Sequence, residues 1–252
     1  MNRERANKSF AYVIKYILFA IAFSALVAGF VFLASYFQKD SAGSEPADLE
    51  GEAKPPIIVI DAGHGGEDGG AVGVDGVTEK ELNLEIALEL ADMLRAAGFE
   101  VVLTRDDDRL LYDPMSDYKG RKKQLDLAKR LQIGESFEDA IFVSIHMNSF
   151  TDPKYKGLQV YFSPNTQISE SLAESIQSSV ATRLQTSNQR SVKKATSRIF
   201  ILNEIQKPAV LVECAFLSNP EECRLIATSE YLKKLTFCIF AGICEFISEN
   251  SY

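Results

Sequence analysis

The chain has 252 residues, of which 46% are hydrophobic and 25% charged, a composition that suits one globular domain with a tail and excludes a disordered chain. Its formal net charge of −8 excludes the usual nucleic-acid binder, which carries basic patches. No internal repeat or low-complexity tract is visible.

Tyr16 to Phe37 is an uncharged run of 22 residues. As a helix it would span about 33 Å, enough for a hydrocarbon core of about 30 Å. Arg3, Arg5, Lys8 and Lys15 precede it, which predicts a cytoplasmic N-terminus and an extracytoplasmic globular part. A cleaved signal peptide is the rival reading, but its apolar region would be shorter, roughly 7–15 residues, with a small-residue cleavage site behind it. The expectation is therefore an uncleaved transmembrane anchor within residues 1–38. Residues 39–56 read as a flexible tether reaching roughly 20–25 Å. The globular domain then occupies 57–252.

Ile57-Ile58-Val59-Ile60 is β-branched and bounded by Pro55-Pro56 and by glycines, so it predicts a buried strand. Asp61 and His64 follow at once. Gly63-His64-Gly65-Gly66 fits neither dinucleotide nor P-loop spacing, so the glycines do not read as a phosphate cradle. Thr78 with Glu81 three residues on makes a capping box, and Leu82, Ile86, Leu90 and Leu94 form the apolar face of the helix it opens. The box occupies Glu81 and leaves Glu79 to point back toward the loop. Gly98 ends that helix.

Glu100 to Thr104 predicts a second strand, and Arg105 to Tyr118 a charged loop. Arg121 to Ile133 predicts a polar helix with most of its charges on a solvated face. Ile141 to Ile145 is a third strand that delivers His146, with Asn148 two residues beyond. Further expectations are a strand over Gly157 to Phe162, a helix over Ser169 to Gln185 and a short strand over Ile199 to Leu202. Ala209 to Val212 is a buried strand ending in Glu213. Helices over Pro220 to Ile226 and Tyr231 to Ser248 close the domain.

The chain has only two histidines, and each follows a buried apolar run. In an open α/β sheet, ligands bind at the carboxyl ends of the strands. If the runs ending in His64, His146 and Glu213 are parallel neighbours, these side chains meet at one rim. Two imidazoles and a carboxylate make a catalytic zinc pattern, and a further carboxylate serves as base for a water. A carboxylate directly after four apolar residues is costly unless paired or functional.

The stretches DAGHGGEDGG, TEKELNL, SIHMN and VLVECAFLSNPEE, in that order, resemble the zinc-dependent N-acetylmuramoyl-L-alanine amidases of bacterial walls. The resemblance runs from about Ile57 to Ile247. It implies an α/β fold with a mixed, mostly parallel sheet flanked by helices. It implies His64, Glu79 and His146 as the ligands of one Zn2+ and Glu213 as the catalytic carboxylate. The implied reaction is hydrolysis of the amide between N-acetylmuramic acid and L-alanine in peptidoglycan. Asn148 and Arg105 stand as candidates for substrate contacts or for support, and Asp61 for orienting His64 or holding loop backbone. The sequence departs from the family at Cys214-Ala215, where a glycine is common two residues after the glutamate.

The anchor leading straight into the domain, and SDYKGRKKQLDLAKRL, are similar to the sporulation branch, the germination-specific amidases. That implies a spore-cortex substrate, a place in the forespore intermembrane space and room for an accessory sporulation protein. The alternatives are a vegetative autolysin, an inactive wall-binding scaffold and a stem-cutting metallopeptidase. Cys214, Cys223, Cys238 and Cys244 read as free, buried, small apolar residues, and the absence of C-x-x-C argues against a cysteine-held zinc.

Overall fold

The computed structural model describes residues 54–113, 115 and 119–250. The proposed anchor lies outside them, as does the tether up to Ala53. Among the described residues no helix is long and apolar enough to cross a membrane.

Three parallel strands form the centre: β1 (Ile57–Ala62), β3 (Ala140–Asn148) and β6 (Ala209–Phe216). The short β2 (Val101–Leu103) lies parallel to β1 at one edge. On the other side β4 (Gln159–Phe162) runs antiparallel to β6, and β5 (Lys193–Lys194) extends it, giving the order β2-β1-β3-β6-β4-β5. The sheet is thus mixed and mostly parallel. Its central strands open with continuous apolar runs because helices cover both faces, and turn polar toward their carboxyl ends.

The larger face is covered by α1 (Glu79–Ala96), α3 (Ile168–Arg183) and α6 (Ser229–Glu249). Ile60, Val143 and Val212 pack there with Leu90, Ile176 and Ile239. A Cβ at Gly242 of α6 would lie 2.7 Å from the Ile176 Cα, so only glycine lets α3 and α6 approach this closely. The smaller face carries Val59, Phe142 and Leu211 under α2 (Lys122–Glu135) and α4 (Phe200–Glu204). Side chains alternate along a strand. The residues two places beyond that apolar layer, Asp61, Ser144 and Glu213, therefore emerge on the same side, with His146 one repeat further along β3.

One expectation about an element is corrected. Ile199 to Leu202 does not form a strand; residues 200–204 are the helix α4, whose Ile201 and Leu202 close the smaller core. Most charges of α2 reach solvent, while Asp126 and Arg130 are buried. The short α5 (Pro220–Ile226) is capped by Asn219, whose side chain accepts from the Glu221 and Glu222 amides. The four cysteines are free, with Cys214, Cys223 and Cys238 buried and Cys244 half-buried.

Candidate active site

The loop after β1 carries His64 in the left-handed region, at φ 61, which is uncommon for a histidine. Two buried guanidiniums hold that backbone. Arg130 donates to the carbonyls of Ala62 (2.7 Å) and His64 (2.6 Å). Arg105 donates to those of Ala62 (2.8 Å) and Gly63 (2.9 Å), and also to Lys80 and Asp107. Asp61 is the hub beneath them. It accepts from Arg130 (2.7 Å) and from the hydroxyls of Thr104 and Ser144, each at 2.7 Å. Burial alone would raise the Asp61 carboxyl; Arg130 and the two hydroxyls hold it below its ordinary value. Asp126, one helical turn from Arg130, pairs with it at 2.7 Å.

This network bears on two expectations. Arg105 is fully buried with its donors on backbone carbonyls, so it supports the loop. Asp61 makes no bond to the His64 ring; it acts on the loop through Arg130. Sequence reasoning missed Asp126 and Arg130. Their four-residue spacing on one helix face was the available signal.

Gly63 passes directly over the His146 ring. A Cβ there would lie 2.3 Å from Nε2, so any other residue would displace the imidazole. His146, near the end of β3, has Nδ1 2.9 Å from Glu79 Oε1, and His64 Nε2 lies 3.2 Å from the same oxygen. Glu79 is fixed from both sides, by the Met147 amide on Oε1 and the Ala71 amide on Oε2. The helix start thus turns Glu79 inward. Thr78 meanwhile bonds the Glu81 carboxylate side chain to side chain at 2.6 Å, without the backbone bond of a full capping box.

One donor atom from each of His64, Glu79 and His146 lies within 4.8 Å of the others, and among the described residues no other such group occurs. Two imidazoles and a carboxylate suit a divalent transition metal. The His64 Nδ1 atom is buried without a well-aligned partner, although Asp68 Oδ1 stands 3.0 Å away. The residues therefore fit a metal. Charges follow the same logic. Burial opposes ionised Glu79, but the hydrogen bonds and charges of His146 and His64 hold it far below the usual carboxylate range. Burial opposes protonated His64, and Glu79 with Asp68 outweigh it and raise its pKa.

Glu213 is the register partner of His146 across β3 and β6. Its Oε2 is shut off from solvent and has no hydrogen-bond partner. Burial pushes its carboxyl up to about 7, with the histidines opposing and Glu79 adding to the rise. A buried carboxyl poised near neutrality beside a metal-binding group has the properties of a general base.

Two clefts flank this centre. One lies between His64, His146 and the helices α2 and α4, walled by Leu127, Ile199 and Leu202. The other lies on the β4 side, walled by Asn148, Tyr155, Tyr161, Arg190, Lys193 and Phe216. Asn148 sits where the β3–β6 register shifts, half-buried, its carbonyl accepting from the Leu217 amide. Residues 149–158 join β3 to β4 without a helix.

The N-acetylmuramoyl-L-alanine amidase family profile matches residues 58–245. The chain belongs to this family. The germination-specific N-acetylmuramoyl-L-alanine amidase of Bacillus subtilis (strain 168) is 31% identical to it over 237 residues, 94% of this chain and 96% of that one. The solved structure of the CwlD amidase from Clostridioides difficile in complex with the GerS lipoprotein is 36% identical, with TM-score 0.74, covering 77% of this chain and 100% of that one. The N-acetylmuramoyl-L-alanine amidase AmiC2 of Nostoc punctiforme is 31% identical, with TM-score 0.65, covering 78% of this chain and 99% of that one. The amidase acts on peptidoglycan, as its family does.

Proposed function

We propose that this amidase is zinc-dependent, with His64, Glu79 and His146 as the metal's protein ligands and Glu213 as the proton carrier. The observation that carries the reading is half-buried Glu213 beside His146, with the Glu213 Oε2 shut off from solvent and without a hydrogen-bond partner. Zinc, when bound, supplies Lewis acidity: it polarises the amide carbonyl and acidifies a water. Glu213 takes a proton from the attacking water as its oxygen bonds to the lactyl carbonyl carbon. As the C–N bond breaks, Glu213 returns that proton to the alanine nitrogen. The products are a muramic-acid carboxylate and a stem with a free L-alanine amine. Arg105, Arg130 and Asp61 keep His64 in place throughout, and Asn148 borders the substrate groove.

We further propose the spore cortex as the substrate, with the domain held outside the cytoplasm by the N-terminal anchor. The likeness to a germination-specific amidase over 94% of the chain supports this. The CwlD amidase was solved with a lipoprotein, which supports an accessory partner here as well.

The test is to digest cortex peptidoglycan with the full-length protein and its Glu213→Gln and His146→Ala variants. New L-alanine amines on intact stems, lost on metal removal and restored by zinc, are the expected result. Cleavage inside the stem would sink the assignment.

A further inference from the structure

The groove on the β4 side combines cations and aromatic rings in an arrangement that the chemistry above does not use. Gln159 is the register partner of Glu213 on β4, so the groove begins beside the proton carrier. Arg190 donates from Nη1 to Gln159 Oε1 at 3.2 Å and from Nε to the Lys156 carbonyl at 2.9 Å. Its guanidinium lies over the Phe216 ring, 4.7 Å from the centroid, and 5.8 Å from that of Tyr155. Tyr155 in turn meets Phe150 edge to face at 5.0 Å. Lys193 sits 6.0 Å from the centre of the Tyr161 ring.

Neither Arg190 nor Lys193 forms an ion pair with a carboxylate among the described residues. Glu222 is near enough to feel the Arg190 charge but makes no ion pair with it, and the groove itself is lined by two cations and no carboxylate, a setting that favours an acidic ligand. Arg190 is also fixed: two hydrogen bonds and two rings hold its plane, which leaves Nη2 to bond a ligand. The cleft across the centre differs. Its lining holds the carboxylates of Asp61, Asp68 and Asp126 among aliphatic residues, its Lys123 is already within 3.6 Å of Asp68, and Arg198 stands exposed at its rim.

We propose that Arg190 and Lys193 bind a free carboxylate of the peptide stem, and so select acidic stems and seat the leaving L-alanine side of the scissile amide beside Glu213. The aromatic rings flank the stem, and the sugar side runs across the opposite cleft. This rests on the reading of Glu213 as the proton carrier.

The experiment uses two disaccharide–peptides, one with a free α-carboxylate on the second stem residue and one with that carboxylate amidated. The full-length enzyme, Arg190→Gln, Lys193→Gln and Arg190→Lys are assayed on both. The expected wild-type preference for the free carboxylate is roughly 10- to 100-fold in kcat/KM, carried by KM, the range for a charge-assisted hydrogen bond. In Arg190→Gln and Lys193→Gln that ratio collapses toward one, and Arg190→Lys recovers part of it. A wild-type enzyme indifferent to amidation overturns the proposal. So does a pair of variants that lose both substrates equally, because a structural role would do that. Glu213→Gln is run in parallel. If it stays active, the catalytic reading fails on its own, whatever the amidation ratio shows.

Discussion

His146 and Glu213 are register partners across the β3–β6 ladder and emerge on the same face of the sheet. One is within 2.9 Å of Glu79, in the candidate metal-binding group; the other keeps a carboxylate oxygen free of partners. Ladder pairing therefore sets the spacing between His146 and Glu213.

Glu213→Gln is expected to keep shape and zinc and to remove the carried proton. Proton transfer by a positioned group contributes about 10²–10⁴-fold, so cleavage should fall at least ~100-fold. Zinc content and melting temperature measured on the same sample distinguish this from a lost ligand or a lost fold. His146→Ala is expected to lose zinc and activity together.

Gly63→Ala is expected to abolish activity while the fold survives. The new methyl would lie 2.3 Å from His146 Nε2, so the imidazole must leave its place. Zinc content should fall, and circular dichroism should stay unchanged. Full zinc loading in the variant would contradict the packing.

Arg130→Met is expected to destabilise the protein by about 3–5 kcal/mol, because it strands the buried carboxylates of Asp61 and Asp126. It should also free the His64 carbonyl and relax the loop. Urea unfolding measures the first effect and zinc affinity the second. A variant as stable as the parent would show that the network is dispensable.

Glu213 also predicts a pH dependence for the metal-free protein. Its folded value of about 7 lies above the ordinary 4.5, so the folded state binds this proton more tightly. Its contribution to stability is complete below 4.5 and declines as pH rises toward 7, by at most about 3 kcal/mol. Glu213→Gln should remove that decline. Denaturation curves at pH 5 and pH 8, compared between the two proteins, measure it.

The central strands were legible because a parallel sheet covered on both faces demands continuous apolar runs, and Ile57 to Ile60, Ile141 to Ile145 and Ala209 to Val212 supply them. His64, His146 and Glu213 could be read as strand-end residues for the same reason. Glu79 followed from the helix start. Ile199 to Leu202 was misread because four apolar residues carry no period that separates strand from helix. Asp126 and Arg130 looked solvated because Asp61, the partner that buries them, lies 69 positions from Arg130. Arg190 stands in a polar stretch with no motif around it. Only the fold brings it against Phe216 and Gln159.

The direction of β1 has a practical result. The described chain enters the sheet at Lys54 to Pro56, whereas His64 follows the far end of the same strand, about 20 Å further on. A purification handle or solid support put in place of residues 1–53 would join the domain at the end remote from the chemistry. Beads coupled through that end would present the working rim outward, toward an insoluble polymer too large to diffuse to them.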